Sequence, residues 1–232
     1  MKIGVYDVNN IYHSDVVEFM KKIPDESIDL IFVDFPFSYI KIKNSDKKIK
    51  SYKKISEFME KVSSEYYRIL KCNGNIAIFW QSIMAYRYTK YFSDKFEVMN
   101  IVAIKDRIKW SWKYLPYQYN LLYLLCKGRP SYYWQKIEGL TDLWLDTDVM
   151  KGKKYHKEQI SQEIVRRVLL MTTSEGDLVF DSFVGGGNVV VTCKEMSRNF
   201  IGCDIDETAI KLAKERLSKT VIKKDLLKEV VK

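Results

Sequence analysis

The chain has 232 residues, 47% of them hydrophobic and 30% charged, enough for one sizeable core and too few for two comfortable domains. A formal net charge of +9 fits a polyanionic partner, nucleic acid above all, or a device for solubility. Cys72, Cys126, Cys193 and Cys203 form no C-x-x-C pair and His13 and His156 lie far apart; this argues against a zinc site or a disulfide framework and for a reducing, cytoplasmic setting with no metal.

"MKIGVYDVNN" lacks an apolar stretch followed by a cleavage site, so no signal peptide is expected. No apolar run approaches the ~20 residues of a membrane span. "IDLIFVD" (Ile28 to Asp34) is nearly continuous in its apolar residues and predicts a strand buried on both faces of a parallel sheet. It ends in Asp34, followed by Phe35, Pro36 and Phe37. A carboxylate, a proline and two aromatics suit an ordinary strand exit or a site that holds a flat ring. Lys41 to Lys54 carries seven lysines against one aspartate; it reads as a mobile basic loop, either a plain solvated face or a surface for phosphates.

Ile55, Phe58, Met59, Val62, Tyr66, Ile69 and Leu70 recur at three- and four-residue steps, which predicts an amphipathic helix. Cys72 to Gly74 supplies its stop, with Asn73 or Gly74 left-handed. Asn75 to Trp80 reads as a second buried strand. A helix around Met84 to Phe92 and strands around Val98 to Ile104 and Tyr119 to Cys126 continue the alternation. From Lys127 to Lys154 the periodicity dissolves. A helix resumes near Gln159, with Ile160, Ile164, Val165, Val168 and Leu169 at helical spacing. Gly176 to Phe183 and Phe200 to Asp206 are further strands, and Glu207 to Leu217 is a final helix. The alternation predicts an α/β fold, with helices on both faces of one sheet, in a single domain spanning 1–232.

"LVFDSFVGGGNVVV" (Leu178 to Val191) is the second landmark. A strand ends at Asp181, and Gly185 to Gly187 lead toward a helix. Glycines there permit a tight turn, and they also let a ligand approach the backbone. About twenty residues on, the next strand ends in Asp204, where a carboxylate suits the two hydroxyls of a ribose. The order of strand, glycine turn, helix, strand and acid favours a nucleoside cofactor over a plain turn. The pattern is neither a P-loop nor G-x-G-x-x-G.

Together these stretches resemble a known family. Asp34-Phe35-Pro36-Phe37 looks like the D-P-P-Y signature of amino-group DNA methyltransferases, and "DSFVGGG" looks like their D-P-F-x-G-x-G signature. Catalytic motif first and cofactor motif last is the permuted, β-class arrangement. The likeness extends along "IYHSDVVEFMKKIPDESIDLIFVDFPF", "YYRILKCNGNIAIFW", "YHKEQISQEIVRRVLLMTTSEGDLVFDSF" and "RNFIGCDIDETAIKLAKERL". The departures are Phe35 for proline, Phe37 for tyrosine, Ser182 for proline, Asn188 for threonine, and Ile160 where the family has a lysine.

The resemblance implies a Rossmann-like methyltransferase fold with a mixed seven-stranded sheet, and S-adenosyl-L-methionine as cofactor. The implied substrate is a base flipped out of double-stranded DNA: adenine at N6, because Asp34 rather than serine opens the motif, or else cytosine at N4. It assigns catalysis to Asp34, Phe35, Pro36 and Phe37. Asp34 and the Phe35 carbonyl would accept from the amine, and Phe37 would stack on the ring. Asp181, Phe183, Gly185 and Gly187 fall around the methionine part of the cofactor, Asp204 at its ribose, and Asp15, ending a short first strand, near its adenine. It also implies a short target-recognition insertion at 127–154, and leaves room for a homodimer and a restriction endonuclease sharing the site.

Candidate DNA contacts are Lys41, Lys43, Lys47 and Lys48, then Arg107, Lys109, Trp110 and Lys113, then Arg129 and Trp134. Lys105 to Tyr119 mixes four basic residues with five aromatics, which suits phosphate contact and base stacking or equally a core. No cysteine follows a proline, which disfavours methylation at cytosine C5. A DNA-binding member of the fold that has lost catalysis is the alternative of another class, motivated by Phe35 and Ile160. RNA or protein amide methylation is disfavoured by the motif order.

Overall fold

β-branched and aromatic residues fill the apolar runs, and those runs pair into one sheet with helices on both sides. The computed structural model describes residues 1–35, 45–110, 115–129, 140–145 and 160–223, with 45–53, 81–83, 107, 109 and 117 described by their backbone alone. In chain order the elements are β1 (Lys2–Ile3), β2 (Tyr6–Asp7), β3 (Asn10–His13), α1 (Val16–Met20), β4 (Ile28–Asp34), α2 (Ser45–Ile69), β5 (Leu70–Gln81), α3 (Ser82–Tyr88) and α4 (Lys90–Ser93). There follow β6 (Glu97–Lys109), β7 (Tyr117–Cys126), β8 (Leu143–Trp144), α5 (Gln162–Thr172), β9 (Leu178–Asp181), α6 (Asn188–Glu195), β10 (Asn199–Asp204) and α7 (Glu207–Ser218).

The main sheet has the order β3-β10-β9-β4-β5-β7-β6-β8, and β1 and β2 form a separate small hairpin. Its strands run parallel except β7, which is antiparallel to both β5 and β6. The expected mixed sheet of seven strands is present, and β8, two residues long, adds an eighth at one edge.

β4 shows why its sequence is apolar throughout. Leu30 and Phe32 face one core cluster with Val165, Val168 and Val190, while Ile31 and Val33 face the other with Met59, Val62 and Tyr66. Helices α5 to α7 cover the first face, and α1 to α4 cover the second. Each fully buried side chain of this size contributes roughly 1.5–3 kcal/mol relative to exposure.

Several boundaries differ from the sequence reading. The basic stretch read as a mobile loop is helical from Ser45 onward, because α2 begins ten residues before the periodic apolar face at Ile55; Lys41 to Asn44 lie outside the described residues. Asn73 is left-handed, with φ 66°, as expected, but it sits within β5 because α2 already ends at Ile69. The helix around Met84 to Phe92 is split in two at Thr89. α5 starts at Gln162 because Ser161 caps it, accepting from the Ile164 N–H. Asp15 does not end a strand. β3 stops at His13, and Asp15 caps α1 by accepting from the Val17 and Glu18 N–H groups. α6 forms over Val189 to Val191 because all three are buried, and tertiary burial outweighs their weak helix preference. No helix among the described residues is long and apolar enough to cross a membrane.

Candidate active site at the carboxyl edge of the sheet

After β4 the chain moves one way along the sheet, to β5; after β9 it moves the other way, to β10. The crevice between β9 and β4 is therefore a topological switch point, and open α/β sheets bind ligands outside the carboxyl ends of their strands there. Both landmark motifs open onto it. Asp34 closes β4 and Asp181 closes β9; Phe32 pairs with Asp181, so Asp34 lies two residues further out on the neighbouring strand. Gly202 of β10 is level with Asp181, and Asp204 with His13 of β3. Asp34, Asp181, Asp204 and Asp15 thus follow one another along the carboxyl edge of four adjacent parallel strands.

Two of the departures from the resembled signatures, Ser182 and Phe35, have structural reasons. Ser182 donates both its N–H and its hydroxyl to the Phe32 carbonyl, each at 3.3 Å. A proline could make neither bond, so serine ties the cofactor-type loop directly to the strand that carries Asp34. Phe35 is 1% exposed. Its ring stacks on Trp80 at 5.1 Å and leans on Phe183 at 5.3 Å and Phe92 at 6.3 Å. Phe35 is therefore a core side chain that braces Asp34 on one side and meets the glycine loop on the other. Phe35→Pro, which restores the residue of the resembled signature, is expected to empty this aromatic pocket and destabilise the fold by ~3 kcal/mol. Urea unfolding followed by circular dichroism checks it, and unchanged stability would refute the bracing role. Pro36 and Phe37 lie outside the described residues.

The glycine loop is held from three sides. Gly185 donates its N–H to Asp204 Oδ2 at 2.8 Å, which joins the loop to the end of β10. The other oxygen, Asp204 Oδ1, accepts from the Asp206 N–H at 2.9 Å. Arg216 of α7 donates to the Gly186 carbonyl and, at 2.6 Å, to Asn188 Oδ1. Asn188 in turn donates to the Ile160 carbonyl. No local pattern singles out Arg216, which reads as one more surface charge on an amphipathic helix.

Two of the glycines serve different ends. Gly185 has φ 46°, and a Cβ there would meet no atom closer than 3.9 Å, so its backbone borders open space that a ligand can approach. Gly187 has φ 80°, and a Cβ there would lie 2.7 Å from the Ala213 Cβ. Gly187 thus lets α6 close onto α7 and gives its N–H to the Val184 carbonyl at 2.7 Å.

Asp181 is the electrostatic centre of the edge. Its Oδ1 accepts from the Phe183 N–H at 3.3 Å, while its Oδ2 is buried without a protein partner. Burial, aided by the negative charge of Asp204 and opposed by the Phe183 N–H, pushes its carboxyl up to about 8. An unpartnered buried acceptor is costly unless a ligand supplies a donor. An ammonium group would do so and would restore the carboxylate. The edge thus fits an amino-acid nucleoside: an acceptor for an ammonium at Asp181, open backbone at Gly185, and a carboxylate at Asp204 whose oxygens have spare lone pairs for hydroxyls.

The proposed nucleic-acid contacts are not gathered in one place. Lys47 and Lys48 lie in the first turn of α2, Arg107 and Lys109 close β6, and Trp110 follows them, exposed. Arg129 is exposed at the opposite edge of the sheet, its N–H bonded to Asn73 Oδ1 at 3.1 Å. It sits beyond the far end of β7, roughly 30 Å from Tyr117 by strand rise, and is not brought to the site. Lys41, Lys43, Lys113 and Trp134 lie outside the described residues, as do residues 130–139 and 146–154 of the expected insertion.

The chain is similar to known proteins along most of its length. Residues 28–215 match the family profile described as DNA methylase, of the N6 and N4 type. The Type II methyltransferase M.HpaI of Haemophilus parainfluenzae is 27% identical over 231 residues, spanning 88% of this chain and 72% of that protein. Among solved structures, the complex of M1.HpyAVI with SAM superimposes with a TM-score of 0.69 at 22% identity, covering 90% of this chain and 98% of that one. The PvuII DNA methyltransferase, described as cytosine-N4-specific, gives a TM-score of 0.76 at 16% identity, covering 99% of this chain and 94% of that one.

Proposed function

The chain belongs to the DNA methylase family whose profile it matches over residues 28–215, and on that premise we propose that it methylates the exocyclic N6 amine of adenine in double-stranded DNA. The observation that carries this reading is the pairing of β4 with β9, which sets Asp34 beside the loop that begins at Asp181. S-adenosyl-L-methionine, held at the β9–β10 half of the edge, would supply an electrophilic methyl group and leave as the neutral thioether once its sulfonium–methyl bond breaks. Asp181 would hold its ammonium, the Gly185 backbone would border it, and Asp204 would accept from its ribose. Asp15 stands on the far side of β10, where it would meet the adenine; its Oδ1 already accepts the two N–H groups of α1.

The work left to the protein is to make a poor nucleophile reactive. The lone pair of an aromatic amine is delocalised into its ring. Acceptors on either side of the NH₂ favour a pyramidal nitrogen and localise that pair. Asp34 supplies one acceptor, and the Phe35 carbonyl supplies the other whatever side chain stands at 35. As the new N–C bond forms, the amine sheds a proton, and the partly exposed Asp34 carboxylate is the acceptor at hand to pass it to water. Phe37 would stack on the ring, recovering part of the roughly few kcal/mol that flipping costs. The likeness to a Type II methyltransferase supports a pairing with a restriction endonuclease that shares the site.

Adenine is favoured over cytosine because an aspartate, Asp34, opens the motif. The test is incubation with labelled S-adenosyl-L-methionine and unmethylated genomic DNA, followed by nucleoside analysis. Label in N6-methyladenine is expected. Label in N4-methylcytosine would overturn the choice of base, and bound cofactor with no label in DNA would overturn the substrate.

A further inference from the structure

Register shows that one part of the sheet outreaches the rest at the active edge. Asp34 is level with Phe79 of β5, and through it with Leu122 of β7 and Val102 of β6. β5 ends two residues later, at Gln81 opposite Asn120. β6 and β7 continue to a last pair, Lys109 with Tyr117, five residues beyond Leu122 along β7, or roughly 17 Å at the usual strand rise. From Lys105 and Tyr119 outward, no other strand among the described residues accompanies them. Between the pairs Lys105–Tyr119 and Lys109–Tyr117 the register shifts, a bulge of the kind that bends and re-aims a ribbon beside an active site.

The chemistry of this arm suits a polyanion with stacked rings. Trp110 at its end is 82% exposed and Leu115 is 88% exposed, with Ile108 also exposed. Large apolar side chains left this open mark an interaction surface. Four basic residues lie between 105 and 113. The one acid of the arm, Asp106, is buried and accepts from Asn120 Nδ2 at 2.7 Å, so it does not present a carboxylate to an approaching phosphate. A two-stranded ribbon is also the width that a B-DNA major groove, about 12 Å across, admits.

We propose that the β6–β7 hairpin is a duplex-opening arm, and that Trp110 stacks into the space a flipped base vacates. The inference rests on the reading that a base in double-stranded DNA is the substrate. Flipping leaves a gap in the stack, and an inserted side chain that fills it stabilises the opened state. Tryptophan has the largest stacking face available, and its exposure here leaves it ready for that use.

The test uses the full chain with S-adenosyl-L-methionine and two random-sequence duplexes, identical except that one has a central abasic site. Wild type is expected to bind the abasic duplex about tenfold more tightly, the worth of one stacked base. Trp110→Ala is expected to lose that preference, Trp110→Phe to keep part of it, and both to bind cofactor as wild type does. On native genomic DNA, Trp110→Ala should also lower kcat about tenfold. A wild type without the preference, or a Trp110→Ala variant that keeps it, overturns the arm. If wild type methylates DNA while either of these holds, the arm alone fails. If wild type transfers no methyl group to DNA, the substrate reading fails and takes the arm with it.

Discussion

Asp34→Ala is expected to lower kcat for DNA methylation at least about a thousandfold while changing affinity for S-adenosyl-L-methionine by less than about twofold. The asymmetry follows from position. Asp34 ends β4, on the proposed target side of the crevice, whereas the residues proposed to hold the cofactor end β9 and β10. On the proposed mechanism, removing its carboxylate takes away an acceptor for the amine and the route for the departing proton, and leaves the residues proposed to hold the methyl donor in place. Asp34→Asn keeps an acceptor oxygen but no charge, and should fall between, losing roughly a hundredfold. Single-turnover transfer to genomic DNA and calorimetry of cofactor binding separate the two effects. An active Asp34→Ala enzyme would remove this carboxylate from the mechanism.

The second large effect is a pH dependence of cofactor affinity centred on Asp181. With its carboxyl pushed up to about 8 by burial, the free protein holds this group mostly protonated at neutral pH. If Asp181 receives the cofactor's ammonium as proposed, it does so as the carboxylate, and binding must expel the proton. If only the ionised form binds, affinity should rise roughly 50-fold between about pH 6 and pH 8, following the ionised fraction. Calorimetry in buffers of different ionisation enthalpy should register the released proton near pH 7. Asp181→Asn should bind weakly and with a flat profile. A wild-type affinity that ignores pH across this range would show that Asp181 does not receive the ammonium.

The same group bears on stability with the opposite sign. Its folded value of about 8 lies above the ordinary 3.8, so the folded chain holds the proton more tightly than the unfolded chain. The stabilisation from that proton is fully present below about pH 3.8 and is lost as pH rises through about 8. Without cofactor, wild type should therefore lose melting temperature relative to Asp181→Asn as pH rises from about 4 to about 8, and no further above that.

What the sequence made legible was what periodicity and punctuation encode. Ile28 to Asp34 read as a doubly buried strand because its apolar residues do not alternate, and in the fold helices cover both of its faces. The glycine turn and its downstream Asp204 could be read because only a few residue types suit a left-handed turn or a carboxylate at a strand end. Phe35 could not be read. Its partners, Trp80, Phe92 and Phe183, come from three other elements, and no local pattern announces such a meeting. The helical start at Ser45 was hidden because lysines carry no apolar period. Arg129 and Trp110 looked alike as basic or aromatic candidates, yet the antiparallel course of β7 sends them to opposite edges. Only pairing register separates them.

The strand order also bears on how the molecule comes to be folded. β3 and β4 are neighbours in the chain, but β10 and β9 lie between them in the sheet. During synthesis the sheet must therefore wait, open at its centre, until residues 178–204 have emerged. Phe32 meets Asp181, and Ile11 meets Gly202, only across separations of well over half the chain. Such closures come late and make folding slow. In the interval β3 and β4 each expose an unpaired apolar edge of the kind that recruits other chains. The active crevice is thus the last seam to close: a nascent chain cannot bind cofactor early, and its greatest hazard before completion is aggregation along the line where the site will form.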